Sequence, residues 1–143
     1  RWNSYGSTVG MDGSGLLHVG EFSGNQCVEM GLQWAVGYGP TLVENGVIRE
    51  GLDPLYLEPR TAVGQRADGS VIFVVLQGRQ PAALGVSRQE LAEIMVKYGA
   101  VNAGNLDGGA SSDMYFQGEY VNVCNTSGGP RGLPTAVVVM PAQ

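Results

Sequence analysis

Twenty-three of the 143 residues are glycine, spread along the chain without a period of three. That is about twice the usual ~7% share, so the backbone turns often and regular elements are short. The missing period excludes a collagen-like rod. Hydrophobic residues make up 43% and charged residues only 15%, enough apolar material for a core at this length and too little charge for a disordered chain. The expectation is one compact domain over residues 1–143, with strands and hairpins outnumbering helices.

Eight Lys and Arg stand against thirteen Asp and Glu, for a net charge of −5, and no basic cluster supplies a nucleic-acid footprint. No apolar run is long enough for a membrane-spanning helix. Cys27 and Cys124 form no CxxC pair, so zinc or thioredoxin-type chemistry is not indicated. Two readings stay open for them: a disulfide, which would fit an oxidising compartment, or two small buried thiols. Asn125-Thr126-Ser127 matches the N-x-[ST] sequon, which marks an exposed loop.

Two stretches read as helices. Over Ser87–Tyr98, Ser87 and Glu90 form a capping box, Leu91, Ile94, Met95 and Tyr98 recur at helical spacing, and Gly99 supplies the stop. The second runs from about Asn25 to Val36, with Gly31 inside it. Strands are expected at Leu16–Val19, Thr61–Gln65, Val71–Gln77, Met114–Gln117, Glu119–Val123 and Thr135–Met140, with hairpin turns at Asp68-Gly69 and Gln117-Gly118. Val71-Ile72-Phe73-Val74-Val75-Leu76 is apolar on both faces and reads as a central strand. Together these predict an α+β fold: a mixed, largely antiparallel sheet with about two helices packed on it.

Common catalytic templates are absent: there is no P-loop, no Rossmann GxGxxG, no HExxH and no GxSxG. His18 is the single histidine and reads as a solvent-facing strand residue, so a Ser-His-Asp triad is disfavoured. The densest polar cluster is Asn105-Leu106-Asp107-Gly108-Gly109-Ala110-Ser111-Ser112-Asp113. Gly108 and Gly109 let the backbone approach a ligand and turn N–H groups toward anionic oxygen, while Asn105, Asp107, Ser111 and Ser112 add polar groups nearby. The alternative is a tight turn whose side chains satisfy only local backbone. Arg60, Arg79 and Arg131 each stand beside glycine or proline, an arrangement suited to bidentate phosphate or carboxylate binding, or to an ordinary surface ion pair.

In order and combination, several stretches resemble the phosphodiester glycosidase family. They are Gly39-Pro40-Thr41-Leu42-Val43-Glu44-Asn45-Gly46 (GPxLVxNG), Pro59-Arg60-Thr61-Ala62-Val63-Gly64 (PRTAxG) and Gln77-Gly78-Arg79 (DGR). Further along come Gly85-Val86-Ser87 with Glu90-Leu91-Ala92 (GxSxxELA), Asn105 to Ser112 (NLDGGGSS) and Pro134-Thr135-Ala136-Val137-Val138-Val139 (PxAIxV, a closing strand).

The resemblance implies a hydrolase that cleaves the glycosidic C–O bond of a sugar-1-phosphodiester, such as a cell-envelope or exopolysaccharide glycan, freeing the sugar and leaving a phosphomonoester. It implies Asp107 as the acid or base, Arg60 and Arg79 as phosphate clamps, and Asn105, Ser111 and Ser112 as orienting groups. Thr61, Gly108, Gly109 and Arg131 are then expected to line the substrate. A second carboxylate is sought in Glu58, Asp113 or a residue outside these 143. No cofactor and no required metal is expected, and the setting implied is extracellular or the cell envelope. The family's NGGFF-like upstream segment is not among these residues: either it lies on a removed or separate piece, such as a partner chain, or this is a truncated domain, and an exposed edge strand is expected. Gln77 stands where the family has Asp, and Ala110 where it has Gly. These departures motivate a second reading, a non-catalytic carbohydrate- or phosphate-binding module.

Overall fold

The computed structural model describes residues 6–123 and 128–141. Cys124, which decides between a disulfide and two free thiols, and the sequon at Asn125 lie outside the described residues, while Cys27 itself is half-buried.

The α+β expectation holds. In chain order the elements are β1 (Gly6–Asp12), β2 (Leu17–Phe22), α1 (Gly24–Glu29), β3 (Leu32–Gly37), β4 (Thr41–Glu44), β5 (Val47–Ile48), β6 (Arg60–Arg66) and β7 (Val71–Leu76). Then follow α2 (Arg88–Lys97), β8 (Ala100–Asn105), a 3-10 turn (Gly109–Ser111), β9 (Tyr115–Phe116) and β10 (Glu119–Tyr120). A three-stranded sheet has the order β2-β1-β3, and a five-stranded sheet the order β5-β4-β8-β6-β7. Every pairing among the described residues is antiparallel, so the mixed sheet expected from sequence is an antiparallel one.

The two sheets and α2 stack as three layers. Alternation along β6 sends Ala62 toward α2, where it joins Leu42, Val43, Leu91, Ala92, Met95 and Ala103 in one core. It sends Val63 the other way, to meet Val9, Leu17 and Val19 of the smaller sheet in a second core. Both interfaces need close approach. A Cβ on Gly64 would sit 2.5 Å from Met95 Cε and 2.9 Å from the Asn102 carbonyl, and one on Gly104 would overlap Val9 Cγ2. The glycine-rich composition thus serves layer packing as well as turns.

Helix α2 forms as expected. The Ser87 hydroxyl accepts from Glu90 N at 3.1 Å and Ser87 N donates to Glu90 Oε2 at 2.7 Å. Gly99, at φ +86°, ends the helix. Leu91, Ala92 and Met95 are fully buried, whereas Tyr98 at the end of the apolar stripe is exposed. Burial of Leu91 and of Met95 contributes roughly 1.5–3 kcal/mol each. Because Ser87 is itself fully buried, Ser87→Ala is expected to destabilise the fold by about 1 kcal/mol or slightly more, read as a lower urea midpoint at unchanged slope. A midpoint equal to wild type would show that the cap is dispensable.

Four expectations are corrected. The helix expected over Asn25–Val36 is only Gly24–Glu29: Gly31 turns the chain at φ +70°, and Leu32–Gly37 continues as β3, with Leu32, Trp34 and Val36 half-buried at a period of two. Val71–Leu76 is an edge strand rather than a central one, since β8 and β6 occupy the middle of the sheet. Its Ile72, Val74 and Leu76 pack toward α2 while Val71 and Phe73 stay exposed. The stretch Thr135–Met140 is exposed and forms no strand. His18 lies in β2 as expected, but its ring is half-buried, with Nε2 2.8 Å from Asp12 Oδ2.

The hairpins hold. Gly69, at φ +87°, turns β6 into β7, and Gln117 and Gly118, both at positive φ, join β9 to β10 in a tight loop.

Candidate active site

The site forms where the ends of β3, β6 and β8 meet the N-terminal turn of α2. Asn105 ends β8 and is almost fully buried. Its Nδ2 donates to the Gly39 carbonyl at 2.7 Å, its backbone N–H to the Pro40 carbonyl, and its own carbonyl accepts from Gly39 N. Asn105 thereby fastens the cis Gly39-Pro40 peptide beside Tyr38.

Past Asn105 the chain leaves the sheet and Asp107 is exposed. The turn behind it is anchored on β6's entry: Leu106 N donates to the Thr61 carbonyl and Gly109 N to the Pro59 carbonyl at 2.9 Å. Gly108 is required there, because a Cβ would lie 2.7 Å from the Pro59 carbonyl oxygen. Ser112 is fully buried and its hydroxyl accepts from Thr61 Oγ1 at 3.1 Å. Ser111 is half-buried, its backbone N–H donating to the Gly108 carbonyl. Asn105, Asp107, Gly108, Gly109, Ser111, Ser112, Thr61 and Arg60 are thus brought together by one pair of neighbouring strand ends.

The arginines divide. Arg60 is buried, and its guanidinium donates from Nε to the Val86 carbonyl at 3.1 Å and from Nη2 to the Tyr56 carbonyl at 2.7 Å. Arg79 lies beside Gly109 but pairs with Glu58, Nε to Oε2 at 2.6 Å. Arg131 lies on the exposed 128–141 stretch. Of the second-carboxylate candidates, Glu58 is committed to Arg79, and the half-buried Asp113 accepts a long bond from Asn122 Nδ2 at 3.4 Å.

Two residues that sequence reasoning did not select complete the site. Tyr38 lies near Asp107, and partial burial first and the neighbouring Asp107 carboxylate second raise its pKa above the ordinary 10.0. Arg88, the first residue of α2, lies close enough to act electrostatically on both Tyr38 and Arg60. Burial first, and then Arg88, weaken the hold of the Arg60 guanidinium on its proton. Tyr38 and Arg88 line a cavity of about 460 Å³ with Ser7, Arg49, Glu50 and Asp53. A tyrosine directly before a Gly-Pro turn and an arginine inside a capping box were the available signals, and each has an ordinary structural explanation.

The Glu58–Arg79 pair carries a pH signature. Hydrogen bonding to Arg79, ahead of the opposing effect of burial, lowers the Glu58 pKa below its ordinary 4.5. A depressed folded-state pKa adds stability that is fully present above the unfolded value and is lost as pH falls through the folded one. Stability is therefore expected to decline below about pH 4.5, and Glu58→Gln should flatten that part of the profile in urea titrations at several pH values. An unchanged profile would remove Glu58 from the acid response.

The scaffold is thus an antiparallel α+β fold with an exposed Asp107 near a cavity lined by Arg49, Arg88, Glu50 and Asp53. The sequence profile of the phosphodiester glycosidase family matches residues 2–140, and the chain belongs to that family. Over 64 residues, 45% of this chain, it is 37% identical to the SPbeta prophage-derived uncharacterized protein YomE of Bacillus subtilis. Over 62 residues, 43% of the chain, it is 37% identical to the N-acetylglucosamine-1-phosphodiester alpha-N-acetylglucosaminidase of Bos taurus. These matches span only 10% and 12% of the two relatives' own lengths. Among solved structures, the catalytic domain of the zebrafish N-acetylglucosamine-1-phosphodiester alpha-N-acetylglucosaminidase, auto-inhibited by its pro-peptide, superposes with a TM-score of 0.74 at 22% identity. The superposition covers 90% of this chain and 50% of that one. An exported protein of Burkholderia pseudomallei gives 0.62 at 29% identity, covering 82% and 27%. No helix among the described residues is long and apolar enough to cross a membrane.

Proposed function

We propose that this chain carries the catalytic centre of a phosphodiester glycosidase acting on a sugar-1-phosphodiester, with Asp107 as its acid-base group. The observation that carries this reading is the exposed Asp107 carboxylate, near Tyr38, which itself lines a cavity together with Arg88, Arg49, Glu50 and Asp53. In the reaction, a water oxygen bonds to the anomeric carbon as the bond from that carbon to the phosphate oxygen breaks. The bonding electrons stay on the phosphate, and one proton of the water passes to Asp107. A phosphate leaving group that is already ionised needs little protonation, so a single carboxylate suffices for this chemistry. Membership of the family and the similarity to an N-acetylglucosamine-1-phosphodiester alpha-N-acetylglucosaminidase support an N-acetylated sugar.

The test is mass spectrometry of the protein incubated with N-acetylglucosamine-1-phosphomethyl mannoside and a panel of nucleotide sugars. Free sugar with the matching phosphomonoester is the expected product. A folded protein that releases none from any of them contradicts the reading.

A second reading is favoured by the exposed outer face of β7, Val71 and Phe73, together with the unpaired apolar stretch Thr135–Met140: the centre works only with a partner segment that adds strands. Light scattering after size exclusion separates the two, since a cooperatively unfolding, active monomer contradicts the partner requirement.

A further inference from the structure

We infer that the cavity lined by Arg88 and Tyr38 is an anion subsite and that Arg88 is the residue that binds the phosphoryl group of the substrate. This rests on the phosphodiester reading above, but names a different residue from the arginines that the sequence motifs suggest.

Those arginines are already engaged. Arg60 donates to two backbone carbonyls, and Arg79 is ion-paired with Glu58 at 2.6 Å. Arg88 differs: its Nε is buried yet meets no hydrogen-bond partner among the described residues, while its side chain lines the cavity. An unmet guanidinium donor in a buried position is unfavourable unless a ligand, a water or a small shift of the side chain satisfies it. The carboxylates that share the lining with Arg88 and Arg49 are Asp53 and Glu50, and neither forms an ion pair with Arg88 among the described residues. Asp53, on the same wall, spends one carboxylate oxygen on Leu55 N and the other on Tyr56 N, both at 3.1 Å. Glu50 is exposed at the rim, and Arg49 makes only a loose 3.9 Å pair with Glu21. Arg88 and Arg60 stand close enough to repel, so an anion bound at the cavity-facing part of the Arg88 guanidinium would screen two like charges at once.

The location is also right for catalysis. Tyr38 lines the cavity and lies near enough to Asp107 to feel its charge, so it links an anion at Arg88 to the acid-base group.

The experiment is calorimetric titration of the whole chain with inorganic phosphate, for wild type, Arg88→Met, Arg88→Lys and Asp107→Asn, with thermal melts to establish folding. Loss of one charge-assisted contact predicts about 10- to 100-fold weaker phosphate binding in Arg88→Met. Arg88→Lys should recover part of it, because the charge returns without the fork. Asp107→Asn should bind phosphate as tightly as wild type or more tightly, since a nearby negative charge is gone. Equal affinity in wild type and folded Arg88→Met, or no phosphate binding by wild type, overturns the inference. Failure of the two proposals is distinguishable: Arg88-dependent phosphate binding without sugar release keeps the subsite and removes the glycosidase reading. Sugar release with Arg88-independent binding does the reverse.

Discussion

Asp107→Asn is expected to lower sugar release from a phosphodiester substrate by about 10²–10⁴-fold, the range by which positioned acid-base groups accelerate such steps. The substitution keeps the shape and the acceptor facing Tyr38 but removes the group that takes the water's proton. Asp107 is exposed, and the turn behind it is held by backbone bonds from Leu106 and Gly109 to Thr61 and Pro59 that do not involve its side chain. Its own carboxylate accepts only the adjacent Gly108 N–H, at 2.9 Å. The variant should therefore melt within a few degrees of wild type, so that lost turnover reports chemistry rather than unfolding. Steady-state rates beside melting curves check both halves. Retained turnover would move the acid-base role to Glu58 or Asp113.

Gly85→Ala should be the most damaging single-methyl change to stability, at about 2–5 kcal/mol, combining strain at positive φ with overpacking. Gly85 has φ +107°, and an added Cβ would lie 2.5 Å from Glu58 C and O and 2.7 Å from Glu58 N. All three are backbone atoms that no rotamer change can move. Glu58 and Val86 exchange two backbone bonds at this point, and the Val86 carbonyl also accepts from the Arg60 guanidinium. The methyl group therefore pushes apart the pairing on which Arg60 and the Glu58–Arg79 pair are built. Gly46→Ala is the control: it has φ +79° but nothing within 4 Å of the added atom, so only the dihedral cost of about 1 kcal/mol remains. Urea unfolding of both variants decides, and a Gly85→Ala loss no larger than that of Gly46→Ala would mean that the Glu58 backbone yields freely.

Local signals with a single physical meaning were legible in the sequence. The Ser87–Glu90 capping box, the Gly99 stop and the Asp68-Gly69 and Gln117-Gly118 turns each depend on bonds within a few residues, and each appears where expected. Signals that depend on the rest of the fold were not. Gly31 interrupts an apolar pattern that fits a helix or a helix followed by a strand, and only the pairing of β3 with β1 decides for the second. Val71–Leu76 is apolar on both faces, as a central strand would be, yet β8 takes the central place because its small residues, Ala103 and Gly104, admit packing from both sides. At the site, the Asn105–Ser112 cluster was visible as a group of polar residues. The division of labour among the arginines was not, because whether a guanidinium faces a carbonyl, a carboxylate or an open cavity depends on contacts across 26 residues for Arg60 and Val86. Tyr38 and Arg88 meet only after β3, β8 and α2 have assembled.

The most direct test of the account is hydrolysis in H₂¹⁸O with mass analysis of the phosphomonoester product. Cleavage of the glycosidic C–O bond by water activated at Asp107 places the heavy oxygen on the sugar, so the phosphomonoester should appear at its unlabelled mass. A phosphomonoester heavier by one ¹⁸O would mean that water attacks phosphorus, and would contradict the assignment of this site as a glycosidase centre.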